Sequence, residues 1–111
     1  MRKIILGFLV LGLLFAALPA EANNVELRIL NETGYTWTEV YVSPTTSDNW
    51  GNNLLSGTVT GDQMFVTNVR SGAAYDIMAV DTDGDCYVTR TRQIPTNYTW
   101  FQIEVRMEHI G

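Results

Sequence analysis

Three aspartates within five residues, Asp81-Thr82-Asp83-Gly84-Asp85, form the densest group of metal-ligating side chains in the sequence. A hard cation such as Ca²⁺ takes roughly six to eight oxygens, and alternating Asp residues on a turn can converge on one. Asp81, Asp83 and Asp85 are therefore candidate Ca²⁺ ligands, and Asp48, Asn52 and Asn53 would complete the shell if their loop folded back. The run is not an EF-hand loop, because its glycine stands fourth where that loop has it sixth, and no Glu occupies the twelfth position. The same residues also suit a solvated hairpin turn, where Asp and Gly tolerate positive φ.

Aromatic side chains offer a second chemistry. Trp50-Gly51 sits in a polar stretch, where an exposed indole can stack on a sugar or anchor a protein partner. With Leu54 and Leu55 it would equally serve as a plug for the open end of a small fold. Trp37, Tyr41 and Trp100 fall on strand faces that otherwise carry polar residues, so together they would make an outer aromatic strip suited to a ligand, or cross-strand pairs that stabilise a sheet. Thr89-Arg90-Thr91-Arg92 would place both arginines on one side of a strand, as a solvated face.

Catalysis finds little to work with. The single histidine, His109, lies in a terminal segment of the kind that frays, and one Cys with one His does not make a zinc site. An enzyme is not expected. The lone Cys86 has no partner within the chain, which leaves a buried inert thiol or a disulfide-linked dimer.

The compartment follows from the leader. Met1-Arg2-Lys3, an apolar run from Ile4 to Leu18, and Ala20-Glu21-Ala22 match the three parts of a secretory signal peptide, residues 1–22. The run is shorter than the roughly 20 residues that span a bilayer, so stable membrane insertion is not expected after cleavage. The exported product, periplasmic or secreted, is one domain over residues 23–111. Cleavage takes 22 of the 111 residues and leaves 89, with 11 acidic groups against 5 arginines and no lysine. That size excludes a two-domain enzyme, and the negative charge excludes nucleic acid as a partner.

Thirteen Thr and ten aromatic residues in that remainder suit pleated, half-buried surfaces, and alternation with period two replaces any helical recurrence. Six strands are expected. Val25, Leu27 and Ile29 alternate in the first, and Thr36 to Ser43 forms the second, with Val40 and Val42 opposite Trp37, Glu39 and Tyr41. Gln63 to Val69, Ala74 to Asp81, Asp85 to Gln93 and Tyr98 to Glu108 follow, the last with Phe101, Ile103, Val105 and Met107 on one face. Asn31 to Tyr35 reads as a tight turn. Asp83-Gly84 reads as a two-residue hairpin turn, and the stretch from Pro44 to Gly61 as a binding or Ω-type loop. The fold class is all-β, a small antiparallel β-sandwich of Ig-like or related topology.

The succession Asn31-x-Thr33-Gly34-Tyr35, Tyr41-Val42-Ser43-Pro44, Trp50-Gly51-x-Asn53-Leu54-Leu55, Tyr75-Asp76-Ile77 and Val80-Asp81-x-Asp83-Gly84-Asp85 resembles a group of small, mostly uncharacterised exported bacterial β-domains. The resemblance spans roughly Asn31 to Tyr87 and implies the fold and export. The functional expectation is an exported, non-enzymatic binding or accessory domain for a protein or surface ligand. Two alternatives stand beside it: a Ca²⁺-stabilised carbohydrate-binding module, and an inhibitor of an extracellular enzyme that inserts its 44–61 loop.

Overall fold

The computed structural model describes residues 24–111, so the signal-peptide expectation for residues 1–22 lies outside the described residues. Those residues form six strands: β1 (Asn24–Glu32), β2 (Trp37–Pro44), β3 (Met64–Arg70), β4 (Ala74–Asp81), β5 (Cys86–Gln93) and β6 (Trp100–Arg106). A single 3-10 turn, Met107–His109, follows β6. The strands pair as two three-stranded sheets in the orders β3-β1-β6 and β2-β4-β5. Their inner faces meet in one core, as the apolar side of each sheet must be buried against something.

The alternation in β1 leads directly to that core: Val25, Leu27 and Ile29 are buried while the residues between them are not. Opposite them stand Val40, Ile77, Ala79 and Tyr87 from the second sheet, all at most 1% exposed. Ile103 and Val105 complete the β6 face, but Met107 belongs to the 3-10 turn and points outward instead of continuing the strand.

Three of the four pairings among the described residues are antiparallel, as expected; β1 and β6 pair in parallel, from Glu26 opposite Trp100 to Glu32 opposite Arg106. The chain changes sheets between β1 and β2, β2 and β3, β3 and β4, and β5 and β6. Those crossings deliver β6 to the free side of β1 running in the same direction.

Asn31 organises the first crossing. It is fully buried as the last inward position of β1, and its Nδ2 donates to the carbonyls of Tyr35 (2.7 Å) and Val59 (3.0 Å). Its Oδ1 accepts from the Thr33 amide and hydroxyl. Gly34, at φ +82°, supplies the left-handed residue that the turn requires.

The long segment after Pro44 is strapped down. Val59 exchanges backbone hydrogen bonds with Trp37, and the Leu54 amide donates to the Val40 carbonyl. Asn53 Oδ1 accepts from the amides of Val40 and Leu55, so one side chain holds both the β2 edge and the loop.

Candidate functional site

The aspartate run forms a hairpin loop one residue longer than the two-residue turn expected. The Gly84 amide donates to the Asp81 carbonyl and the Asp81 amide to the Asp85 carbonyl, with Gly84 alone in the loop at positive φ. This is a turn followed by a left-handed glycine. Asp81 is 2% exposed. Its Oδ1 accepts from the amides of Asp83 (2.9 Å) and Asp85 (3.0 Å), and its Oδ2 from the Tyr87 hydroxyl (2.7 Å).

Burial pushes the Asp81 carboxyl upward, but the Tyr87 hydroxyl and the loop amides outweigh it and hold it below its ordinary value. Burial and the adjacent carboxylate drive the Tyr87 hydroxyl well above its own ordinary value. One oxygen from each of Asp81, Asp83 and Asp85 lies within 4.8 Å of the others. Both Asp81 oxygens are nevertheless engaged by the hairpin, which leaves two exposed carboxylates where Ca²⁺ wants several more oxygens. Asp48 and Asn53 do not supply them. Asn53 is held at β2, and Asp48 lies beside Asp76, about 17 Å from Asp81 along β4 at the usual rise per residue.

At that other end of β4 a small polar cleft of about 170 Å³ is bounded by Ser43, Asp48, Trp50, Asp76 and Arg90. It is built on a bulge. Residues 90 and 91 of β5 stand opposite Asp76 alone, and Thr91 takes φ +55°, a rare conformation for a β-branched residue. Asp76 fixes it: Oδ1 accepts from the Thr91 amide and the Thr45 hydroxyl, and Oδ2 from Arg90. The Thr91 amide is the main reason the Asp76 carboxyl lies below its ordinary value; burial opposes, while the Thr45 hydroxyl and Arg90 add to the lowering.

The bulge also separates the arginines expected on one side. Arg90 reaches Asp76 and lies 5.4 Å from the Trp50 ring centre, whereas Arg92 donates to the Thr89 hydroxyl. Trp50, half-buried, thus covers the outside of the β2-β4-β5 sheet and does not plug the sandwich end. Leu55 packs against the core and Leu54 is exposed.

The expected aromatic strip does not form. Trp37 is fully buried because a bulge between Trp37 and Glu39 shifts the β2 alternation, turning the indole inward with Val40. Its Nε1 has no hydrogen-bond acceptor. Tyr41 stays outside on β2, its hydroxyl donating to the Glu39 carboxylate, a contact that raises its pKa. Trp100 lies on the other sheet.

Trp100 instead has a partner that the sequence reading passed over. Tyr98 and Trp100 are 63% and 47% exposed and, with Pro95, Phe101 and Gln102, line an open groove of about 640 Å³. The Arg28 guanidinium, 4.3 Å from the centre of the Trp100 ring, backs the indole and is itself bonded to Glu26 at 2.7 Å. The Tyr98-Thr99-Trp100 spacing, with two aromatics at i and i+2, was the available signal.

Among the described residues the histidine, His109, accepts the Arg106 amide through Nδ1, and Cys86 is a half-buried free thiol with Sγ 4.0 Å from the Gly84 carbonyl oxygen.

No family model matches the sequence, and no curated protein does. Among solved structures the chain is similar to a protein from Eubacterium rectale determined by NMR. The TM-score is 0.53, with 15% identity over 76% of this chain and 85% of that one. A likeness at that identity concerns the fold alone.

Proposed function

We propose that this protein is an exported, non-enzymatic binding domain that takes a surface glycan or protein ligand on Tyr98 and Trp100. The observation that carries the reading is the pair of exposed rings beside a groove that the core does not use. Large aromatics left in water on a small domain mark interaction sites. Arg28 holds the Trp100 ring in place before any ligand arrives, which lowers the ordering cost of binding. The polar neighbours Gln102, Glu26 and Arg28 suit a ligand with one apolar face and a rim of hydroxyls, such as a pyranose ring.

The signal-like leader supports export. Affinity electrophoresis through soluble cell-wall and storage polysaccharides tests the site. Trp100→Ala and Tyr98→Ala should each weaken retardation at least about tenfold, as loss of one stacked ring implies, with an unchanged melting temperature. Binding that survives both substitutions would place the ligand elsewhere.

A further inference from the structure

The four sheet edges are not equally protected. The β2 edge is held by Asn53 and the Leu54 amide. The β5 edge is bulged at Thr91 and covered by the C-terminal residues, where Ile110 bridges Tyr87 and the Gly111 amide donates to the Cys86 carbonyl. The β6 edge carries Glu104 and Arg106, which are ion-paired. Among the described residues the β3 edge has none of these devices: Met64-Phe65-Val66-Thr67-Asn68-Val69 contains no charge, proline or glycine, and β3 pairs with β1 alone. An unguarded edge of this kind is a template for another strand.

The hydrogen-bonding parity of that edge follows from its neighbours. The Glu26 amide bonds Thr99 beside β6, so Glu26 and Arg28 face β6, while Val25, Leu27 and Ile29 face β3. Their partners Val69, Thr67 and Phe65 are thereby used. Met64, Val66 and Asn68 direct their amides and carbonyls away from the sheet, and the side chains of Met64 and Val66 are 40% and 48% exposed. The Arg70 amide, next in this series, is already taken by the Tyr75 hydroxyl.

We propose that β3 pairs antiparallel with β3 of a second copy of this chain, about a two-fold axis at Val66. This register opposes Val66 to its own copy and Met64 to Asn68, so that three residue pairs with outward-facing backbone groups exchange hydrogen bonds. It also brings exposed Arg70, at the end of β3, toward exposed Asp62 in the turn that precedes β3 of the other copy, so that opposite charges flank an uncharged centre. The β3-β1-β6 sheets of the two copies become one six-stranded sheet, and the interface is isologous, as closed dimers require. Edge pairing alone lies at the small end of specific interfaces, so the dimer forms and dissociates with concentration.

Sedimentation equilibrium of protein purified after expression of the full-length chain tests the pairing. A concentration-dependent dimer is expected, and Val66→Lys, which sets two like charges against each other on the axis, should abolish it without changing the circular dichroism spectrum. A strictly monomeric native protein at millimolar concentration would overturn the proposal, as would a dimer indifferent to Val66→Lys. Register is read by cross-linking in a Cys86→Ala background. Val66→Cys should oxidise to a covalent dimer, because directly opposed residues bring their Cα atoms within disulfide range. Asn68→Cys should not, since its copies lie about 14 Å apart along the strands. Cross-linking at 68 but not at 66 would refute this axis.

Discussion

Asn31, Asn53, Asp76 and Asp81 each spend their side chain on backbone groups: a crossing between sheets, a strapped loop, a bulge and a hairpin. All four fall in the motif succession from Asn31 to Asp85, where each holds a scaffold position. Spacing located these residues, but it could not distinguish a carboxylate aimed at a cation from one consumed by its own loop. Millimolar Ca²⁺ against chelator should accordingly leave the melting temperature unchanged, since a ligand raises it only by binding the folded state. Tyr87→Phe leaves the buried Asp81 Oδ2 without its donor and should cost about 1–3 kcal/mol in urea denaturation. Asp76 and Asp81 both have folded pKa values below the ordinary 3.8. Their stabilising contribution is complete above that value and is lost as pH falls below it, because the unfolded chain takes up protons first. Asp81→Asn should therefore be less stable at neutral pH and show a shallower loss of stability below about pH 4.

At the scale of elements, period-two alternation located all six strands within a few residues and gave β1 its inward face correctly. The errors cluster where one inserted residue reverses the parity. The bulge after Trp37 turned an expected outer aromatic into a core residue, and the bulge at residues 90 and 91 divided two arginines expected together. Alternation carries no mark of a bulge, because the residue that breaks the pattern is ordinary in type and the cause lies on the paired strand. Trp37→Ala should cost about 3–5 kcal/mol as a core truncation, and a merely surface indole would not. Thr91→Gly retains the amide that Asp76 binds while relieving a left-handed φ. It should raise stability by about 1 kcal/mol in the same denaturation assay.

For the whole molecule, the sandwich was legible because strands with one apolar face, and no helix to cover them, have few other ways to bury it. The parallel pairing of β1 and β6 was not, since nothing local in Trp100 to Arg106 states which strand it will meet or in which direction. Tyr98 escaped notice for a related reason: its exposure depends on where β6 lands. If β3 pairs with its copy, the two grooves stand at opposite margins of one six-stranded sheet. A polymeric ligand that reached both would be held more tightly than either site alone allows. A forced-monomer Val66→Lys protein should then lose affinity for long chains while keeping it for short oligomers, measurable by titration calorimetry with both lengths.

The seam between the first and last strands also sets a clock. Glu26 meets Trp100, 74 positions later in the sequence, so the central strand keeps a bare flank until β6 has emerged from a ribosome or a translocation channel. Contacts this distant in sequence are slow to form and late to contribute. A nascent chain would stay threadable and protease-sensitive until β6 has been made. Release of β6, more than any earlier event, would decide when this domain becomes folded.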